Sequence, residues 1–272
     1  MINKVFLSSR LNSFRSTLLW VFSGIVLFYM AIPLFIILPI SFSSSSYMEF
    51  PPRSFSIQWY SKYFSDPSWT RPTLLSFQLG IVTMLFATIL GTLAALAMIR
   101  GKFPGKRSFQ ILFLSPMIVP VIIISIATYN FFAKLKLIEN FWGLVLGHSV
   151  VAVPFVFINV SAALMNFDIT LEKAAYSLGA NRLQAFLKVT FPLIRPGILT
   201  GALFAFIVSF DELIITMFIS GTRHTLPVRM WMDLWLEIDP TIAAVSSFLM
   251  LLSIAAILSA EWIRRRAEQR YA

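Results

Sequence analysis

The stretch LEKAAYSLGANRLQAFLKVTFPLIRPG, Leu171 to Gly197, is polar and helix-forming, yet apolar runs of spanning length lie on both sides of it. Asp168 or Thr170 offers a side-chain oxygen to the free amides of a helix starting near Leu171, and Glu172 suits that helix's positive end. Gly179 can take the left-handed conformation that ends a helix after Leu178, and Asn181 can cap a second one running to about Val189. In that second helix Leu183, Phe186, Leu187 and Phe191 recur near helical spacing, leaving Arg182, Gln184 and Lys188 on a basic face. Pro192 and Pro196 are expected to break regular structure before Gly197 leads into the next apolar run. The segment at about 168–196 therefore reads as a helix-turn-helix held between two membrane helices. Its amphipathic pattern suits two settings, the surface of anionic lipid or a groove on a cytoplasmic partner.

Working outward, uncharged runs long enough to span a bilayer occur at about 17–41, 73–98, 109–132, 142–165 and 241–260. A sixth candidate, about 198–220, carries Asp211 and Glu212 near its middle. Each acid costs about 2.5–3.5 kcal/mol at a helix centre, while its thirteen Leu, Ile, Val and Phe return about 0.3–0.6 kcal/mol each. The balance is near zero, so this span requires acids that face protein or water inside a bundle. The chain is 58% hydrophobic with no polar block large enough for a separate soluble domain, so residues 1–272 read as a single transmembrane domain of an all-α membrane protein. The first run, which follows Lys4, Arg10 and Arg15, is too long for a signal peptide's apolar core and is expected to be a retained helix.

Charge distribution sets the orientation. Of the 22 Lys and Arg, fifteen fall on the segments that six spans would place on one side and seven on the other. The positive-inside rule then puts both termini in the cytoplasm, whereas dropping the acidic span would put Arg264, Arg265, Arg266 and Arg270 outside. The net charge of +10 lies in short clusters beside apolar runs rather than along one polar face, which excludes a nucleic-acid partner and makes the lipid bilayer the partner. The external segment at about 42–72, with Trp59, Tyr60 and Tyr63, is expected to lie along the membrane interface. Prolines 33, 39, 116, 120 and 154 mark expected kinks.

Asp211 and Glu212 are the leading candidates for a substrate pathway, since an intramembrane acid is costly and a cationic solute would offset it. On one continuous helix the two would point about 100° apart, so only one would meet the pathway. Ser209, Tyr129, Asn130 and Asn159 are further polar candidates, each of which also suits a structural role. His148 reads as a packed, hydrogen-bonded residue. With no cysteine there is no disulfide framework, and with only two histidines, His148 and His224, a metal site is disfavoured. The sequence has no GxxxxGK[ST], HExxH or GxSxG pattern, and its paired acids are consecutive rather than a turn apart, which disfavours a membrane-embedded enzyme, the alternative function class.

The run from Lys173 to Pro192 resembles the cytoplasmic signature of ABC importer permeases: Glu-Ala-Ala, three residues, Gly, nine residues, Ile-x-Leu-Pro. Here it is Lys173-Ala174-Ala175, then Gly179, then Val189-Thr190-Phe191-Pro192. Lys173 stands where that family usually has Glu, with Glu172 beside it, and Val189 and Phe191 replace Ile and Leu. Phe210-Asp211-Glu212, Leu226-Pro227 with Trp231, and Asp239-Pro240-Thr241-Ile242-Ala243-Ala244 resemble the second permease subunits of spermidine/putrescine importers. The resemblance implies a type I importer permease fold in a bacterial inner membrane, with Glu172, Lys173, Ala174, Ala175, Gly179, Phe186 and Pro192 coupling to an ATPase. It also implies the partners: two ABC ATPase subunits that carry the ATP and Mg, a second permease, and an external solute-binding protein. No cofactor is expected on this chain. The implied solute is a polyamine, against other solutes of such importers: opines, amino-acid derivatives, quaternary amines or phosphonates.

Overall fold

The computed structural model describes residues 2–236 and 239–269. Over these the regular secondary structure is helical, apart from one isolated antiparallel bridge between Ser43 and Phe55, with turns and loops between the helices. The helices are α1 (Ile2–Ser41), α2 (Gln58–Ser65), α3 (Pro67–Arg100), α4 (Lys106–Leu114), α5 (Val121–Lys134) and α6 (Phe141–Met165). They continue as α7 (Ile169–Ser177), α8 (Arg182–Ala185), α9 (Phe191–Phe210), α10 (Ile214–Ile219), α11 (Leu226–Leu236) and α12 (Thr241–Gln269). The basic side chains Lys4, Arg10 and Arg15, and Arg264, Arg265, Arg266 and Arg270, lie outside the residues whose side chains are described.

Among the described residues four helices are long and apolar enough to cross a membrane: Leu19–Ser41 within α1, α3, α6, and the continuous run Arg182–Phe210. Pro33 and Pro39 sit inside α1 without ending it. The expected span at 109–132 is not one straight helix: Lys106–Met117 and Val121–Leu135 meet at 104°. Pro116 lies in a 3₁₀ turn, Ser115–Met117, and Pro120 precedes α5 with an extended ψ of 129°. Two prolines four residues apart remove two ladder donors, and the extended ψ at Pro120 turns the chain between the two helices, which localises the bend. Within α12 the described apolar stretch is Thr241–Ala255.

The chain forms two compact units, Pro67–Met232 and the remainder within Met1–Asp66 and Asp233–Ala272. The core of Pro67–Met232 is a three-helix packing of α3, α6 and α9. Ala87, Gly91 and Ala95 on α3, and Gly197, Gly201, Ala205 and Ser209 on α9, repeat every four residues and lie along single helix faces. A Cβ built on Gly91 would sit 2.6 Å from Val156 Cβ, and one on Gly201 would sit 2.9 Å from Val156 Cα. Small residues thus let both helices approach α6 at backbone distance, which is how helices pack where lipid removes the hydrophobic drive. A second cluster joins Leu79, Phe132, Leu144, Val145, Ile215 and Ile219, setting α5 and α10 against α3 and α6.

In the other unit α1 packs on α12, and Ser247 Oγ donates to the Ile37 carbonyl at 3.4 Å. Three aromatics of the segment at 42–72 also make contacts within the protein. Tyr63 is buried between Phe64 and Phe248, Trp59 Nε1 donates to the Ser43 carbonyl at 2.8 Å, and the Tyr60 hydroxyl lies 2.8 Å from Ser41 Oγ. Helix α2 brings these rings together, and turn residues alone do not announce it. Lys62 Nζ, at 2.7 Å from Asp239 Oδ2, ties α2 to the start of α12. Burial raises the Asp239 carboxyl, but Lys62 and the hydroxyl and amide of Thr241 outweigh it and hold the group below the usual aspartate range.

Candidate coupling and pathway sites

Helix α7 begins at Asp168, whose side chain accepts the Thr170 amide at 2.9 Å, so Asp168 rather than Thr170 is the cap. It ends in a paired motif: the Gly179 amide donates to the Tyr176 carbonyl at 3.0 Å and the Ala180 amide to the Ala175 carbonyl at 3.0 Å. Both bonds require a left-handed residue between them, and Gly179 supplies it with φ +87°. Asn181 then caps α8 reciprocally with Gln184, the side chain of each bonding the other's amide at 2.9 and 3.0 Å. Lys173, Ala174 and Gly179 are exposed, Ala175 is half-buried, and Leu178 stands 88% exposed at the tip.

The second helix does not stop near Val189, and neither Pro192 nor Pro196 breaks it. Residues Phe186–Thr190 form a π turn, closed by the Phe191 amide donating to the Phe186 carbonyl, and α9 continues directly from it. In a regular α-helix the Pro192 ring would collide with the carbonyl of Lys188, and the widened turn just before it relieves that collision. The half-buried Phe186 packs on Phe191 with ring centroids 6.3 Å apart, while Pro192 is exposed. What reads as a separate short helix is therefore the first part of one rod, Arg182–Phe210.

Glu172 points inward. It is 6% exposed, and its carboxylate takes Arg100 Nη1 on Oε1 at 3.1 Å and the Tyr176 hydroxyl on Oε1 at 2.9 Å. Arg100 Nη2 lies 2.9 Å from Oε2, an ionic contact out of line for a hydrogen bond. The same Nη2 donates to Thr190 Oγ1 in the π turn at 3.3 Å, and the guanidinium lies over Phe167 at 5.6 Å. The hydrogen bond to Glu172 holds the Tyr176 hydroxyl above its usual range. Arg100, at the end of α3, thus ties α7 to the π turn. Nothing in the sequence points to this pairing, because its partners lie 72 and 90 positions away.

Asp211 and Glu212 do not occupy successive positions of one helix. Helix α9 ends at Phe210, Asp211 is its exposed last cap, and α10 resumes only at Ile214. Glu212 is half-buried and turns back to accept the Ile215 amide on Oε1 at 2.9 Å. The expected continuous span at 198–220 is therefore broken at its acids, with Asp211 facing open space and Glu212 capping α10. Ser209 is buried, its Oγ 2.9 Å from His148 Nδ1, and so is withdrawn from any open cavity. His148 Nε2 lies 2.9 Å from Thr216 Oγ1, which donates to the Glu212 carbonyl at 3.0 Å. The fully buried imidazole thereby bridges both sides of the break from α6, a packed role that the lone polar histidine of an apolar run does signal.

The remaining pathway candidates are not brought to this break by any hydrogen bond among the described residues. Asn159 Nδ2 bonds the Phe155 carbonyl one turn back at 2.8 Å and lies in the close α6–α9 contact beside Gly201. Asn130 likewise bonds Ile126 at 2.9 Å, and Tyr129 is 42% exposed on α5. Among the described residues no cluster of three or more His, Asp and Glu could hold a metal ion.

A family profile described as the binding-protein-dependent transport system inner membrane component matches residues 87–272. The chain belongs to this family, and is a membrane-embedded, multi-pass permease subunit of an ABC importer. Among curated relatives, the spermidine/putrescine transport system permease protein PotC of Haemophilus influenzae is 27% identical over 246 residues, covering 90% of this chain and 95% of that one. The putrescine transport system permease protein PotI of Escherichia coli is 28% identical over 229 residues, 80% of each. A bacterial ABC transporter involved in import of the acidic polysaccharide alginate shares the fold, with TM-score 0.61, 18% identity and coverage of 89% of this chain and 93% of that one.

Proposed function

We propose that this chain forms half of the translocation pathway of an ATP-driven importer for a small organic cation of the polyamine class. It passes the motion of cytoplasmic ATPase subunits to that pathway. The observation that carries the reading is the single rod Arg182–Phe210, which starts at the exposed turn around Gly179 and ends at the broken span bearing Asp211. At about 1.5 Å per residue its 29 residues reach about 43 Å, enough to link a cytoplasmic surface to the membrane interior.

In this reading α1, α3, the bent pair α4 and α5, α6, the broken pair α9 and α10, and α12 are six crossings with both termini cytoplasmic. Two ABC ATPases carry the ATP and Mg, a second permease supplies the other half of the pathway, and an external solute-binding protein delivers the solute; this chain is non-catalytic. Closure of the ATPases moves the knob formed by Lys173, Ala174, Ala175 and Gly179, with Phe186 and Pro192 at its root. The rod then re-aims the break, a two-state linkage in which each site biases the other. Asp211 offers a cation its compensating charge during passage. Support for a polyamine comes from that acid and from the relatives named above.

The test is uptake by the assembled importer in proteoliposomes loaded with ATP. Labelled spermidine or putrescine is expected to accumulate, and Asp211→Asn is expected to lower uptake by about tenfold or more, the loss of one charge-assisted contact. Accumulation of an uncharged or acidic solute, with no competition by polyamines, would overturn the substrate assignment.

A further inference from the structure

Resting on the reading that an ATPase docks at the Gly179 turn, we propose that the knob's ionic contact is made by a carboxylate of that ATPase, seated against Lys173 and Arg182. The joint would then have the opposite polarity to the Glu that the family signature carries at this position.

The charge of the segment is lopsided. From Asp168 to Arg195 it holds two acids, Asp168 and Glu172, and four bases, Lys173, Arg182, Lys188 and Arg195. Glu172 cannot serve as the outward carboxylate, because it is buried and both of its oxygens face Arg100. Asp168 caps α7 by accepting the Thr170 amide, and its exposed carboxylate partly offsets the charge of Lys173. Asn181, the other polar group at the turn, is engaged with Gln184 in the reciprocal cap.

Lys173 and Arg182 remain, both exposed, on the rim of a cleft of about 920 Å³. Arg100, Phe167, Glu172 and Tyr176 line its wall, so the interior is already neutralised, and with two bases against the single nearby acid Asp168 the charge in excess at its mouth is positive. A carboxylate entering from outside would meet the Lys173 ammonium and the Arg182 guanidinium, whose planar fork suits it. An arginine from the partner, as the usual Glu would favour, would meet two like charges there, and juxtaposed like charges suppress a partner.

The experiment uses the whole importer, with its ATPase and second permease, treated with a zero-length carbodiimide that joins a lysine amine to a carboxylate in direct contact. Mass spectrometry is expected to find Lys173 joined to an Asp or Glu of the ATPase. Lys173→Arg should abolish that link while the ATPase still co-purifies, since charge remains but the amine is gone. Lys173→Glu should lower ATP-coupled uptake by about tenfold, in the range of a lost interfacial charge contact. The inference is overturned if the ATPase co-purifies yet no Lys173 link forms and Lys173→Glu transports normally. It is equally overturned if Lys173 is shielded from acylating reagent by phosphatidylglycerol vesicles in the absence of ATPase, which would make the face a lipid contact. A complex that contains no ATPase would remove the functional reading itself, a different result from either of these.

Discussion

Replacing Gly179 with tryptophan is expected to leave insertion and expression close to wild type while ATP-driven uptake falls by a factor of ten or more. The expectation rests on two separate features of that position. Its φ of +87° makes any side chain strained by about 1–2 kcal/mol, a modest cost in a large bundle. A Cβ placed there meets no atom within 4 Å, so the chain itself offers no clash to a larger residue. A loss much greater than the strain must then arise against something outside the chain. Gly179→Ala separates the two contributions: it carries the backbone strain with little bulk, so uptake should stay within a few-fold of wild type. Equal loss in both variants would mean that the turn's conformation matters and not its clearance. The readouts are uptake and ATPase turnover in the same preparation, because a defective joint should let hydrolysis continue without transport.

The second large effect is expected at Arg100. Arg100→Met leaves the Glu172 carboxylate buried without its cation and removes a donor from the Thr190 hydroxyl. Breaking a buried pair from one side costs about 3–5 kcal/mol, somewhat less here because the arginine side chain keeps 28% of its exposure. Glu172→Gln retains the shape and an acceptor for Tyr176, so it is expected to cost about 1 kcal/mol. The double change Arg100→Met with Glu172→Leu should recover most of the loss, since neither charge is then stranded. Thermal inactivation midpoints of the purified complex, measured for Arg100→Met alone, Glu172→Leu alone and the double, close the cycle. Additive losses would show that the two residues do not act as a pair.

The local punctuation of the coupling segment was legible in the sequence because capping needs only a few neighbouring residues. Asp168, Gly179 and Asn181 sit where their side chains or backbone freedom place them. The rest depends on partners distant in sequence. The inward turn of Glu172 is set by Arg100 on α3, and no local pattern indicates whether a carboxylate beside a lysine points in or out. Pro192 looks like a terminator, but a π turn ahead of it absorbs the steric conflict and the helix runs on. The acids at Asp211 and Glu212 mark an unusual span, yet that the backbone itself breaks there follows from Glu212 capping α10 and His148 bridging the gap from α6. One signal was present in plain spacing: the four-residue repeats of small residues through Gly91 and Gly201, which mark the faces where α3 and α9 meet α6.

The central claim is that this chain moves solute only as one part of an ATP-driven assembly. The most direct measurement is to isolate the tagged chain from its native membranes, identify the proteins that accompany it, and assay flux with and without ATP. An ABC ATPase and a second permease should be recovered with it, and flux should require ATP. Recovery of the chain alone, conducting solute without ATP, would contradict the account.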